Sequence, residues 1–439
     1  VIVFAFAAAL GMASARADTP APFFWGVANA AIQTEGEPGD SDWSRWAAIP
    51  GKIDDGSTPV RAFGFYRGYE REFDTAKDLG VNAFRLSIAW ERVEPARGVW
   101  DEGALTHYEA MMVALRKRGI EPIVSLHHFV NPAWLVDGVL NPEFPDLFAE
   151  FSERVIARLA NGPAKVRWFC TLNEPAVLAV VGFLDGQFPP GHHGDIDGAS
   201  QAMAQLIRAH LKTVNRARAL AIGPELKIGS ATHWRPFEPA RKWNPFDWIA
   251  AHFSEQFFDR QIMAGVLTGK INIWSPGGKR VHDRIEILGG RPGIDYAGVN
   301  YYGRTLVKFI FHAPFVEMSE GPGPKNDLGW EMYPEGLTTT LRELAEYHLP
   351  ILITENGVAD ARDANRAHYI ADHIARIDAA RKEGIDVIGY LYWTLTDNFE
   401  WARGLVPKFG LCPAPSADGS RKCRPSFAAY RDIIRAHAL

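Results

Sequence analysis

Two glutamates stand where packing gives a carboxylate least reason to be. Glu355 ends the run Pro350-Ile351-Leu352-Ile353-Thr354 and is followed by an Asn356-Gly357 turn signal. Glu174 ends the run Val166-Arg167-Trp168-Phe169-Cys170-Thr171-Leu172-Asn173 and is followed by Pro175. Short apolar runs bounded by turn residues read as strands buried on both faces, as in parallel sheets. A charge at the tip of such a strand is costly unless it is paired or used. One such glutamate could merely cap a helix or reach water; two in the same arrangement form a candidate catalytic pair. Facing carboxyls suit cleavage of a glycosidic bond. One donates a proton to the leaving oxygen, while the other, ionised, attacks or activates water. Mutual repulsion raises one pKa and separates the two roles.

The elements that must position this pair recur along the chain. Strand-like runs lie at 23–28, 83–90, 122–128, 166–174, 226–231, 296–302, 351–355 and 387–393. Amphipathic helical patterns lie between them at 69–79, 105–118, 145–159, 199–220, 336–347 and 365–382. Eight βα units in 439 residues predict a single (β/α)8 TIM barrel with long βα-loop insertions. The Pro/Gly-rich stretches 182–198 and 304–330 each follow a strand, so they read as those loops and not as linkers. Catalytic groups in this fold sit at strand C-termini. The endings here supply Asn29, Gln33, Arg85, His128, Asn173, Glu174, Asn300, Tyr302, Glu355 and Trp393. A doubly wound sheet would also gather ligands at strand ends, but its Gly-rich phosphate turn is missing.

Composition narrows the partners. A net charge of −5 with interspersed signs offers no basic patch for nucleic acid or an anionic membrane. Neither a metal-ligand spacing nor a cofactor motif is present, and the adjacent pairs His127-His128 and His192-His193 would point opposite ways on a strand. Residues 1–17 are nearly all apolar and end in Ala15-Arg16-Ala17 before Asp18. They read as a secretory signal peptide lacking its start, which leaves 18–439 as the catalytic domain and predicts export to the periplasm or medium. Cys412 and Cys423 flank a Pro/Ser/Gly-rich loop that a disulfide could close in an oxidising compartment. Cys170, inside a strand, reads as a small buried hydrophobe.

Taken together the motifs resemble glycoside hydrolase family one, the β-glucosidase family, from Phe24 to about Tyr430. They are FFWGVANAAIQTEG (23–36), NAFRLSIAW (82–90), SLHHF (125–129), TLNEP (171–175), GVNYYG (298–303), ITENG (353–357), YWTLTDNFEW (392–401) and KFG (408–410). The resemblance implies that Glu174 is the acid/base and Glu355 the nucleophile of a retaining double displacement, with carboxyls about 5–5.5 Å apart. It implies sugar contacts from Gln33, His128, Asn173, Glu400 and Trp401, a platform from Trp393, and nucleophile-orienting roles for Tyr302 and Arg85. Asn300 and Phe409 are supporting positions, Asp397 and Asn398 shape their loop, and Trp168 packs. Taken in isolation, Arg85 could be an ordinary barrel-end ion pair and His128 a core histidine.

A carboxylate at Glu400 disfavours a 6-phosphorylated sugar, and Glu174 disfavours the thioglucosidase branch, which carries Gln there. The expected activity is an exo-acting β-D-glucosidase on cello-oligosaccharides or aryl glucosides. Alternatives are a β-galactosidase or β-fucosidase, or a transglycosylase using the same pocket; a non-catalytic carbohydrate-binding barrel is the reading from another class. The chain departs from the family at Phe129-Val130-Asn131-Pro132, where W-D-L-P is usual, and at Trp90-Glu91-Arg92, where Trp-Ser-Arg is usual. Both departures are expected to affect aglycone preference.

Overall fold

The structure, a computed structural model, describes residues 23–311, 315–416 and 418–437. The apolar segment read as a signal peptide lies outside them. Eight parallel strands close a barrel: β1 Phe24–Ala28, β2 Ala83–Ser87, β3 Glu121–His127, β4 Trp168–Asn173, β5 Lys227–His233, β6 Tyr296–Asn300, β7 Ile351–Asn356 and β8 Val387–Trp393. Each pairs with its neighbours in sequence, and β8 closes on β1 with Ala28 opposite Trp393. The eight strands are the eight apolar runs. β2, β6 and β7 are buried at every residue, as strands sandwiched between a filled interior and a helical layer must be.

Helices Phe65–Leu79, Glu102–Lys117, Phe144–Asn161, Ile196–Ala219, Pro334–Ala345 and Arg366–Lys382 match the six amphipathic patterns within a few residues. Their apolar stripes and the outer strand faces form one continuous core. A second cluster, including Ala83, Ile123, Tyr296, Leu352, Leu391 and Trp393, fills the barrel and floors its mouth. Small residues make way for large ones there: a Cβ on Gly229 would collide with the Tyr296 ring. No described helix is long and apolar enough to cross a membrane.

Several elements are not evident from hydrophobic periodicity. Helix Pro175–Phe183 begins immediately after Glu174 and is apolar almost all round. Between β5 and β6 the chain forms helices Pro245–Glu255 and Gln261–Thr268, joined through a π-helical turn, Gln256–Arg260. The stretch 304–330, expected to be loop, carries strands Thr305–Phe309 and Val316–Ser319, which pair with each other, and Thr305–Phe309 also pairs with Phe237–Pro239. These inserts stand over the C-terminal mouth, where the fold places its variable parts.

Candidate active site

The barrel ladder is irregular at both glutamates. The β4–β5 register shifts between Cys170 and Asn173, and the β6–β7 register between Ile353 and Glu355. Such shifts re-aim side chains near functional sites. Here they turn Asn173, Glu174 and Glu355 into the mouth. Glu174 has left its strand altogether, with φ 45° and ψ 60°, at the N-cap of Pro175–Phe183. A left-handed non-glycine residue is strained by about 1 kcal/mol or more, and Pro175 suits the first helical position that follows. Its side chain caps nothing, which leaves the carboxyl free for the pocket. Gly357 is needed for close approach and not for a tight turn, since a Cβ there would run into the Trp393 carbonyl.

Glu355 is held by charge. Arg85 Nη1 donates to its Oε1 at 2.5 Å, and the Tyr302 hydroxyl donates to Oε2 at 2.9 Å. Arg85 lies inside β2, fully buried, and not at the strand end where the sequence reading put it. Its guanidinium spans the barrel, donating also to Ser125 Oγ at 2.8 Å and to Asn173 Oδ1 at 2.7 Å, with Cys170 Sγ 3.9 Å from Nη2. Cys170 is thus more than a small hydrophobe: it lines the guanidinium's slot.

Glu174 is held by neutral donors. Asn300 Nδ2 donates to its Oε1 at 2.7 Å and to Asn173 Oδ1 at 3.1 Å, while Asn300 Oδ1 accepts from Thr354 Oγ1 at 2.6 Å. His233 Nδ1 lies 3.2 Å from the same Glu174 oxygen. Among the described residues, Glu174 Oε2 has no hydrogen-bond partner. A continuous chain of bonds therefore runs Glu355–Arg85–Asn173–Asn300–Glu174 and joins the two acids.

The acids also couple electrostatically. Burial lifts the Glu355 carboxyl to about 7, with Arg85 and Tyr302 pulling down and the charge of Glu174 pushing up. Burial lifts Glu174 as well, but His233, Asn300 and Arg235 outweigh it, and the net direction is downward. The pair shares one proton near neutrality and titrates as a unit. Hydrogen bonding dictates where that proton is useful. Both Glu355 oxygens already accept, one from a guanidinium that cannot do otherwise, whereas Glu174 Oε2 is free. We therefore take Glu355 as the ionised member when the pocket is poised to react.

A third carboxyl opens on the same space. Burial and the negative charges of Glu355 and Glu174 push Glu400 up to about 8. Gln33 Nε2 donates to the Phe399 carbonyl at 2.9 Å and lies 3.4 Å from Glu400 Oε2. His128 is stacked between Trp393 and Trp401, with ring centroids at 6.0 and 5.8 Å. Burial, with Arg85 and His127 adding, keeps it neutral. Asn173 Oδ1 faces Arg85, so its amide nitrogen faces His128 Nε2, at 3.2 Å. Phe409 is buried and meets the Tyr302 ring edge-on at 6.3 Å, backing the nucleophile's partner. Asp397 pairs with Arg424 at 2.7 Å and accepts from Gly410 N, which shapes the loop. Trp168 packs edge-on against Phe24.

Gln33, Arg85, His128, Asn173, Glu174, Asn300, Tyr302, Glu355, Trp393, Glu400, Trp401 and Phe409 therefore converge on one mouth or back it. Trp168 lies at the start of β4, away from it, and some residues belong to the mouth that were not singled out. Phe129, with φ 70°, packs on Trp401 at 5.0 Å, so this departure from the family pattern borders the His128–Trp401 wall and not the outer rim. His233 ends β5, two residues beyond the predicted end of that strand. Extending the strand-end rule to the fifth strand would have found it.

This geometry agrees with three comparisons. The family model for glycosyl hydrolase family 1 matches residues 15–439. The chain belongs to that family. It is a retaining glycoside hydrolase. Beta-glucosidase A of Thermotoga maritima is 33% identical, over 96% of this chain and 98% of that protein. A beta-galactosidase of Sulfolobus acidocaldarius is 28% identical, with 96% of each chain covered. The solved beta-glucosidase from Thermotoga maritima in complex with glucoimidazole superposes with a TM-score of 0.85 at 31% identity, covering 96% of this chain and 99% of that one. The same enzyme was also solved in complex with galacto-hydroximolactam.

Proposed function

We propose that this hydrolase is an exo-acting β-D-glucosidase that releases the non-reducing terminal glucose of β-linked oligosaccharides or of aryl and alkyl glucosides. The observation that carries the reading is the hydrogen-bonded chain that joins two buried glutamates through Arg85, Asn173 and Asn300. In the first half-reaction the Glu355 carboxylate attacks the anomeric carbon, and Glu174 gives its proton to the departing oxygen. A glycosyl ester forms and the aglycone leaves as an alcohol. In the second, Glu174 takes a proton from water as it attacks, and Glu355 is released with overall retention. Esterification removes the charge of Glu355, which lowers the cost of ionising Glu174 and suits it to act as base.

Gln33, His128, Asn173, Glu400 and Trp401 supply the hydroxyl partners of the sugar, and Trp393 supplies an apolar face. Orphaned buried atoms support this: Gln33 Oε1 and His128 Nδ1 have no protein partner among the described residues. Glu400 exchanges hydrogen bonds with neutral hydroxyls, and a phosphorylated sugar would add negative charge beside the Glu355–Glu174 pair. A β-galactosidase activity in the same pocket is the second reading, favoured by the named galactosidase relative and by the galacto-configured complex of the Thermotoga maritima enzyme. Capture of the ester by a sugar in place of water would make the enzyme a transglycosylase.

The deciding experiment uses 2-fluoro gluco-, galacto- and mannosides, which slow hydrolysis of the ester, followed by mass analysis of the trapped peptide. Fastest trapping by the gluco compound on Glu355 is expected. Trapping on another residue, or on none with a folded protein, overturns the assignment. We further propose that residues 1–17 direct export. The apolar run and the A-x-A site support this, and the Cys412–Cys423 disulfide suits an oxidising compartment. A secreted protein whose N-terminus is Asp18 is expected; a cytosolic one retaining the segment overturns it.

A further inference from the structure

His233 is the one imidazole among the described residues that touches either glutamate. It is 7% exposed and firmly held: its ring stacks on Tyr302 at 5.7 Å and meets the edge of Phe258 at 5.9 Å. Its two nitrogens face opposite chemistry. Nε2 receives Arg235, whose Nε lies at 2.9 Å and whose Nη2 also reaches it. Arginine can only donate, so Nε2 must carry the lone pair. The ring proton then sits on Nδ1 and points at Glu174 Oε1, 3.2 Å away. Arg235 is anchored in turn by Thr305 Oγ1 at 3.1 Å and by the Phe258 ring, both contributed by the inserts over the mouth.

Glu174 Oε1 consequently receives two donors, His233 Nδ1 and Asn300 Nδ2, and Oε2 receives none. A proton placed on Oε1 would face two N–H groups. We propose that His233, locked by Arg235 in the tautomer protonated at Nδ1, is a positioning residue that keeps Glu174 Oε1 an acceptor and reserves Oε2 for the transferred proton. The inference rests on Glu174 being the acid/base.

The lock has a second consequence. A cationic imidazolium beside Glu174 would hold it ionised and spoil it as an acid, and Arg235 opposes that protonation. Burial acts in the same direction. The charged or titratable groups facing His233 are Glu174, Arg235 and Tyr302; Asp259, from the π-helical turn, and Glu320 act on it through Arg235.

The test compares two β-glucosides, one leaving as an alkoxide, which must be protonated, and one as dinitrophenolate, which need not be. Glu174→Gln is the reference arm and must separate the two substrates in kcat/KM. If it does not, the acid/base assignment itself fails, and this inference falls with it. Given that separation, His233→Leu is expected to lose about tenfold or more on the alkyl glucoside, a share of the ~10²–10⁴ a positioned acid contributes. The dinitrophenyl substrate should stay within about twofold. His233→Asn, whose amide can still donate, should regain most of the loss. Arg235→Met lets the proton of Glu174 pass to His233, so it should lose several-fold on the alkyl glucoside and spare the dinitrophenyl substrate. Equal losses on both substrates, no loss at all, or a His233→Asn variant no better than His233→Leu would overturn the proposal. Should His233→Leu fail to fold, equal effects of Arg235→Met on the two substrates decide against it alone.

Discussion

The ends of β4 and β7 present the same side chain in two different settings. At β7, Glu355 remains in its strand and is gripped by a buried cation and a phenol, both of which stabilise the ionised form. At β4, Glu174 has stepped out of the strand into a left-handed conformation. It is gripped by an amide and an imidazole, neutral donors that occupy one oxygen and leave the other open. Two identical acids thus become a fixed nucleophile and a mobile proton carrier, because one is paired with charge and the other with dipoles. The contrast shows that the division of labour in this barrel lies in the partners, with the glutamates themselves interchangeable chemically.

The largest break in that contrast is removal of Glu355. Glu355→Gly should lower kcat by about 10⁴-fold or more, and added azide should restore turnover. Azide then attacks from the vacated face, so the glycosyl azide should have inverted configuration, read by NMR. A retained product would mean that Glu355 is not the nucleophile. Glu174→Gln strikes the other end, with a loss in kcat/KM on alkyl glucosides of ~10²–10⁴ and little loss on dinitrophenyl glucoside. Azide should now yield the retained product, since it intercepts an intact ester. Identical stereochemistry from both variants would erase the distinction between the two sites.

Arg85→Met sharpens the comparison by turning the charged setting into a neutral one. Activity should fall about 10²-fold, the scale of one preorganised donor lost. Breaking so buried a pair should also cost about 3–5 kcal/mol of stability, measured by denaturant melts. Without its cation Glu355 ionises less readily, so the acidic limb of the rate profile should move to higher pH. An unmoved limb would separate Arg85 from the nucleophile's ionisation. The smallest effect concerns pH and stability. Glu400 has an ordinary value of 4.5 and is raised in the fold to about 8. The folded chain keeps a proton that the unfolded chain has released, so this contribution is full below about 4.5 and is lost as pH rises through about 8. Glu400→Gln should flatten the fall and raise the melting temperature at pH 8 by about 1 °C, equivalent to roughly 1 kcal/mol in a chain this long. A slope as steep as the parent's would remove Glu400 from the account.

Much of this site is legible before folding, and the gaps have physical causes. Asn173, Glu174, Tyr302 and Trp393 end or follow apolar strands, and the barrel gathers strand ends whatever lies between them. Arg85 is equally visible as a charge in an apolar run, but its four partners come from β3, β4 and β7, and only closure of the barrel brings them together. His233 escaped because β5 runs on through Ala231-Thr232-His233, where the apolar pattern has already faded. The accessory strands at 305–309 and 316–319 escaped because Pro and Gly around them signal loop more strongly than four or five residues signal strand.

Alternating apolar runs and amphipathic stretches were sufficient to specify a barrel and to nominate its two acids, because burial is a local demand that each segment states in its own composition. Which acid keeps its proton is a different kind of fact. It depends on Arg85 and Tyr302 meeting one carboxyl and on His233 and Asn300 meeting the other, contacts between residues 53 to 270 positions apart in the chain. Electrostatic partners act through distance in space, and only the closed barrel fixes that distance.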